Sequence, residues 1–219
     1  MVIKNILGVV YDLDGTLIST EDLHVRAWQE AGRKQGYEIS PQFLLDQKGS
    51  TDEAAAKMVF GEEHDQLGES FVSSKRNYVL ENIGSAGFYQ EFAKTYKKLL
   101  DKGVSVWVCT SAFPEFVKSV YEKIPALASF REKTVWKGMY THGKPDPEPL
   151  LLTYKKMNLK PEQCLYVGDA YNDYMASVNA GSSFVFFCSN TDVDPRIPKN
   201  IDKISKHTDL LSLLGFDEI

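Results

Sequence analysis

Ile6-Leu7-Gly8-Val9-Val10-Tyr11 is a continuous apolar, largely β-branched run that stops at Asp12. Three later runs share its character, at 104–109, 164–167 and 183–188. Runs this short and this apolar predict strands buried on both faces, as in a parallel sheet. Helical patterns lie between them. Over 88–100 the apolar residues Phe88, Phe92, Tyr96 and Leu99 share a stripe, and Lys102-Gly103 follows as a stop. Segments 114–121, 147–157 and 171–180 read the same way, the last ending at Gly181. Strands alternating with helices predict an α/β fold, a Rossmannoid three-layer core around a parallel sheet.

Residues 17–82 break that rhythm. Segment 20–35 is amphipathic, with Leu23, Ala27 and Ala31 on one stripe and charges opposite. Ser40-Pro41 opens another helix by cap-then-proline logic. Thr51-Asp52 opens a third through Ala54-Ala55-Ala56, and 69–80 makes a fourth. No strand-like run interrupts them. The expectation is therefore a small all-α domain, residues 17–83, inserted after the first strand of a core formed by 1–16 and 84–219. A loop carrying Pro195 and Pro198 precedes a short last helix at 209–214, and His207, near the tail, is expected to be exposed.

Composition excludes several function classes. The chain has 219 residues, 43% hydrophobic and 25% charged, which is long enough and apolar enough to bury a core without disulfides. Its 25 Lys+Arg against 30 Asp+Glu leave a net charge of −5, no footprint for nucleic acid or an anionic membrane. No apolar run approaches the roughly 18 residues of a membrane helix, and the first residues lack the pattern of a signal peptide. Cys109, Cys164 and Cys188 are odd in number and each lies in an apolar run, as expected of buried thiols in a reducing compartment. The cytoplasm is the expected location, and a monomer or weak homodimer the expected state.

In an open parallel sheet, ligands bind at the carboxyl ends of the strands. The first strand ends in Asp12-Leu13-Asp14-Gly15-Thr16, the strand at 104 in Thr110-Ser111, and the strand at 164 in Gly168-Asp169, with Asp173 one helical turn on. Lys144 lies in a loop, Gly143-Lys144-Pro145-Asp146-Pro147, just before a helix. Carboxylates converging on one rim repel one another and call for a cation, and oxygen ligands on a partly open site suit Mg²⁺. The lysine, the Thr110 hydroxyl and nearby backbone N–H groups suit the oxygens of a phosphate. Acids that need a metal beside donors that need an anion describe a phosphoryl-transfer site, in which an aspartate can be the nucleophile.

These residues resemble the motifs of the haloacid dehalogenase superfamily of phosphohydrolases. Asp12-x-Asp14-Gly15-Thr16 matches the first motif, Thr110 the second, Lys144 before Pro145 the third, and Gly168-Asp169-x-x-x-Asp173 the fourth. The resemblance implies that Asp12 is the nucleophile and Asp14 the general acid/base. It implies Mg²⁺ held by Asp12, the backbone carbonyl of Asp14 and Asp169, with Asp173 at the metal or orienting Lys144, and the phosphate held by Thr110 and Lys144. Ser111 and Thr16 join the substrate-binding set. The inserted helices would be the family's small α-helical cap. There His24 and Trp28, four apart on one helix face, resemble a pair found in β-phosphoglucomutase-like members, and Lys48-Gly49 resembles a cap substrate loop; His24 and Lys48 are therefore substrate-binding candidates.

The implied function is Mg²⁺-dependent hydrolysis of a small phosphomonoester, a sugar phosphate by preference, through an aspartyl-phosphate. The alternatives are a β-phosphoglucomutase-like phosphotransferase and, from another class, a catalytically inactive binding module. The mutase pattern Lys-Gly-x-x-Arg ends here in Asp52, which removes a grip on a second phosphate. Dehalogenation is disfavoured by Asp14, because no leaving alkoxide would need its proton. A phosphorylatable receiver domain has no use for the helical insertion.

Overall fold

The computed structural model describes residues 3–42, 52–61, 64–189 and 194–216. Its contacts divide the chain into two compact units, Met1–Ser19 with Phe88–Ile219, and Thr20–Gly87.

The first unit is built on a six-stranded sheet. β1 (Gly8–Tyr11), whose four residues are all buried, pairs in parallel with β4 (Ser105–Cys109) on one side and β6 (Cys164–Gly168) on the other. β5 (Thr134–Val135) extends the sheet beyond β4, while β7 (Ser183–Phe187) and β8 (Lys203–Ile204) extend it beyond β6, every pairing parallel. The order is β5-β4-β1-β6-β7-β8. Burial on both faces explains the apolar runs: Val9, Val10, Tyr11, Val106, Val108, Leu165, Tyr166 and Val167 have no exposed surface. Helices α4 (Glu91–Asp101), α5 (Pro114–Lys123), α6 (Glu148–Met157) and α7 (Tyr171–Ala180) supply the crossovers, and α8 (Asp209–Leu213) follows β8. This is the α/β fold expected from the alternation of runs. α7 stops where Gly181 turns left-handed at φ 75°, and α6 where Asn158 does so at φ 57°.

In this first unit three expectations are corrected. The helix expected at 88–100 begins at Glu91, because Phe88 belongs to β3 (Gly87–Phe88), which pairs with β2 (Ile18–Ser19) in a separate two-stranded sheet. β5 and β8, of two residues each, are too short to leave a periodic signal, so the sheet is wider than the sequence suggested. His207 is completely buried, not exposed. Phe187 stacks on its ring at 4.5 Å, and Tyr11, Tyr89 and Phe92 surround it edge-on.

The second unit is helical, with α1 (Glu21–Lys34), α2 (Asp52–Phe60) and α3 (His64–Asn82). α3 begins five residues before the expected start at 69. Trp28 and Ala31 of α1, Ala56 and Phe60 of α2, and Phe71 and Val72 of α3 form its core. Phe71 sits at the centre, 5.1 Å from Trp28 and 4.6 Å from Phe60 between ring centroids. Asp52 at the start of α2 accepts from Lys75 Nζ at 2.7 Å and Arg76 Nε at 3.0 Å on α3.

Candidate active site

β1 is the point where the sheet order reverses, so the chain leaves it toward β4 on one side and β6 on the other. A crevice opens at the carboxyl ends at such a position. Tyr11 is in register with Val108 and with Val167, and the residues that follow these three strands therefore emerge on one rim. They are Asp12, Thr110 and Asp169.

Lys144 binds this rim together. Its Nζ donates to Asp12 Oδ1 at 2.8 Å and to Asp173 Oδ1 at 2.6 Å, and only 5% of its side-chain surface is exposed. Asp12, at 7% exposure, and Asp173, at 2%, are equally enclosed. Burying three charges is costly, and only close pairing of opposite signs makes it tolerable. Burial by itself lowers the Lys144 pKa, but the carboxylates of Asp12 and Asp173 outweigh it and hold the ammonium well above its ordinary value. Burial pushes the Asp12 carboxyl above the usual carboxylate range, against the pull of the Lys144 ammonium.

Asp173 has both oxygens engaged. Oδ1 faces Lys144, and Oδ2 accepts from the backbone N–H of Ala170 at 3.1 Å. Gly168 allows this approach, since a Cβ there would lie 2.6 Å from Asp173 Oδ2. Gly15 plays the same part for Asp169: it sits at φ 82°, and a Cβ on it would fall on the Asp169 carboxylate. The Thr16 hydroxyl, fully buried, donates to Asp169 Oδ1 at 3.1 Å.

The oxygen set fits a hard divalent cation. Ligand oxygens of Asp12, Asp169 and Asp173 lie within 4.8 Å of one another. Because both oxygens of Asp173 already accept hydrogen bonds, its chemistry suits holding Lys144 better than binding the metal. Asp12 and Asp169 are the better-placed pair, and a site of two carboxylates that leaves room for water and phosphate oxygens is what Mg²⁺ prefers.

The remaining candidates are distributed as follows. Asp14 is half-buried two residues beyond Asp12 and forms an isolated bridge with Ile18. Thr110 is buried at the end of β4, where its Oγ1 accepts from the Ala112 N–H at 3.1 Å, and Ser111 beside it is exposed. His24, half-buried, belongs to α1 of the helical unit. Lys48 lies outside the described residues. Cys109 is fully buried and burial pushes its thiol up to about 12, which leaves it inert as a nucleophile.

Two tyrosines escaped the sequence reading. Tyr166 on β6 meets Lys144 Nζ with its hydroxyl at 2.8 Å. Tyr140 donates to the Thr110 carbonyl oxygen at 3.2 Å. Tyr166 reads as strand core and Tyr140 as loop, so neither carries a signal in a single sequence.

Residues 9–187 match the family described as haloacid dehalogenase-like hydrolase. The chain belongs to this family. A pyrophosphatase PpaX of Bacillus velezensis is 24% identical over 189 residues, covering 82% of each chain. A phosphoglycolate phosphatase of Vibrio cholerae is 29% identical over 188 residues, covering 81% of this chain and 82% of that one. Among solved structures, a haloacid dehalogenase-family hydrolase of Entamoeba histolytica superimposes with a TM-score of 0.83 at 19% identity, over 95% of this chain and 98% of that one. As a member of the haloacid dehalogenase-like hydrolases, this chain is an enzyme, and its named relatives are phosphatases.

Proposed function

We propose that this enzyme is a Mg²⁺-dependent phosphatase that hydrolyses a small phosphomonoester, a sugar phosphate or related metabolite, through an aspartyl-phosphate on Asp12. The observation that carries the reading is the enclosed Lys144 ammonium between Asp12 and Asp173 at the carboxyl end of β1, with Asp169 beside them. A cation and two flanking acids at a strand end, within a rim rich in hydroxyl and N–H donors, can hold a phosphoryl group in line with a carboxylate.

In the first step an Asp12 carboxylate oxygen attacks phosphorus, and the bond from phosphorus to the substrate oxygen breaks. Asp14 gives its carboxylic proton to that leaving oxygen. In the second step Asp14, now a carboxylate, takes a proton from water, whose oxygen attacks phosphorus. The acyl-phosphate bond then breaks, releasing inorganic phosphate and restoring Asp12. Thr110 and Ser111 hold the phosphoryl oxygens and the Lys144 ammonium faces them as counter-charge, while Thr16, expected in that shell, gives its one O–H to Asp169 and so supports the metal side. Asp12, the backbone carbonyl of Asp14 and Asp169 would hold Mg²⁺, with Asp173 beside them; the ion supplies charge neutralisation that lets the anionic phosphate approach an anionic nucleophile.

Residues 17–83 serve in this reading as a cap, with His24 and Lys48 selecting the substrate. A phosphate-shuttling mutase would need a second phosphate grip where Asp52 instead receives Lys75 and Arg76. The substrates named by the relatives are both small: phosphoglycolate is a phosphomonoester and pyrophosphate a phosphoanhydride. The reading places the enzyme in the cytoplasm as a monomer or weak homodimer, in keeping with three free cysteines. No helix among the described residues is long and apolar enough to cross a membrane.

The test is phosphate release from a panel of sugar phosphates, phosphoglycolate, pyrophosphate and an aryl phosphate, with Mg²⁺ and with chelator. Release that disappears with chelator and peaks on one small phosphomonoester supports the reading. Silence across the panel from a folded protein would overturn it.

A further inference from the structure

The hydroxyl of Tyr166 touches three of the four segments that form the candidate site. It lies 2.8 Å from Lys144 Nζ, 3.1 Å from the carbonyl oxygen of Cys109, the residue before Thr110, and 3.1 Å from Asp173 Oδ1. Tyr166 is fully buried on β6, in a core cluster with Val10, Cys109 and Phe184, and Lys144 Nζ lies 5.4 Å from its ring centroid. A buried phenol is costly unless its oxygen is satisfied. That cost is not always met in this core: the equally buried Tyr11 hydroxyl, on the neighbouring strand, has no partner among the described residues.

The donor arithmetic at Lys144 gives the Tyr166 contact its meaning. An ammonium has three N–H donors on a flexible four-carbon stem, so one partner fixes neither its position nor its rotation. Here all three are taken, by Asp12, Asp173 and Tyr166. Two of the three acceptors are carboxylates, which left alone would draw the ammonium onto the line between them. The third is neutral, is anchored in the middle of the sheet, and pulls the ammonium toward β6. It adds no negative charge to that of the two carboxylates.

We propose that Tyr166 is a positioning residue that fixes the Lys144 ammonium between Asp12 and Asp173, and with it the orientation in which that ammonium meets a phosphoryl group. The proposal rests on the phosphatase reading above for its catalytic consequence, and on the geometry alone for the contact. Without the hydroxyl, Lys144 remains in place but its third N–H is no longer directed. The interaction lost is one of alignment, which weighs on the transition state more than on substrate binding.

Two measurements on the full-length protein test this. The first is a melting-temperature cycle of wild type, Tyr166→Phe, Lys144→Met and the double variant, which needs no activity. Tyr166→Phe keeps the ring and its packing, and the expected result is a loss of several degrees in the wild-type background and less than half that loss beside Lys144→Met. An equal loss in both backgrounds would overturn the proposed contact. The second is steady-state kinetics of Tyr166→Phe on whichever phosphomonoester the wild type turns over. The expected result is a fall of about tenfold in kcat with KM changed by less than about twofold. Unchanged kcat, or a loss wholly in KM, would overturn the positioning role. If the wild type hydrolyses no phosphomonoester, the phosphatase reading fails, and the melting cycle still decides whether Tyr166 holds Lys144.

Discussion

Lys144 and Asp12 are separated by 132 residues of chain, yet Nζ and Oδ1 meet at 2.8 Å in a setting almost closed to water. The contact joins the loop before α6 to the end of β1, and it places the Lys144 ammonium against the proposed nucleophile. Lys144→Met would leave Asp12 and Asp173 enclosed without a counter-charge. Removing one member of a buried pair costs about 3 kcal/mol or more, so the variant should melt lower while remaining folded. Thermal denaturation followed by circular dichroism checks this, and a melting temperature equal to that of the wild type would contradict the structural weight given to the pair.

Asp14 should separate from Asp12 in its kinetic signature. As the proposed proton donor to the leaving oxygen, it matters most when that oxygen is strongly basic. Asp14→Asn is expected to depress turnover of a sugar phosphate by at least about a hundredfold, and turnover of an aryl phosphate with an acidic phenol by much less. A series of aryl phosphates of graded phenol acidity supplies the measurement. A uniform loss across the series would remove Asp14 from the proton-donor role.

Gly15 and Thr16 both act on Asp169. Thr16→Val removes the hydroxyl that holds Asp169 Oδ1 at 3.1 Å, and Gly15→Ala puts a methyl group against the same carboxylate at a backbone φ of 82°. Partners that orient a metal-binding carboxylate are worth about tenfold or more in metal affinity. Both variants should therefore need about tenfold more Mg²⁺ for half-maximal activity, and isothermal titration with Mg²⁺ alone should show the same weakening. A Mg²⁺ requirement equal to that of the wild type would place Asp169 outside the metal site.

His207 should make the fold acid-sensitive. Its Nε2 donates to the Thr16 carbonyl oxygen at 2.9 Å, while Nδ1 is buried with no hydrogen-bond partner among the described residues. Protonating Nδ1 would strand a charge among Tyr11, Tyr89, Phe92 and Phe187. Burial accordingly pushes the His207 pKa down to about 4, although the Thr16 contact and the carboxylates of Glu91 and Asp209 work the other way. A histidine depressed in the fold contributes its full stability above its unfolded value of about 6.5. That stability, about 3 kcal/mol, is lost as pH falls from there toward 4. The melting temperature of the wild type should thus drop more steeply over this window than that of His207→Gln. Parallel curves would contradict the assignment.

The sequence discloses some of this architecture and hides the rest for physical reasons. Strand ends are legible because an apolar run stops where the chain leaves the sheet and polar side chains take over, and Asp12, Thr110 and Asp169 stand at those stops. The α/β alternation is legible because both-face burial demands runs such as Gly8-Val9-Val10-Tyr11. Two-residue strands such as β5 and β8 leave no period to detect. His207 was misread because nearness to the tail says nothing about burial, and its cage draws on Tyr11, Tyr89, Phe92 and Phe187 from distant parts of the chain. Tyr166 is invisible for a different reason: a tyrosine inside a strand run is indistinguishable from core until the partner of its hydroxyl is known. Lys144 stands between these cases. Its loop marks it as a candidate, but only the fold brings it to Asp12.

The central claim is that Asp12 carries the phosphoryl group, and trapping that group tests it most directly. Wild-type enzyme turning over its best phosphomonoester with Mg²⁺ would be quenched in acid, digested, and mapped by mass spectrometry. The account predicts one added phosphoryl group on the peptide containing Asp12, and in Asp12→Asn its absence together with a loss of turnover of about a thousandfold or more. A phosphoryl group on another residue, or an Asp12→Asn enzyme that still turns over at close to the wild-type rate, would contradict it.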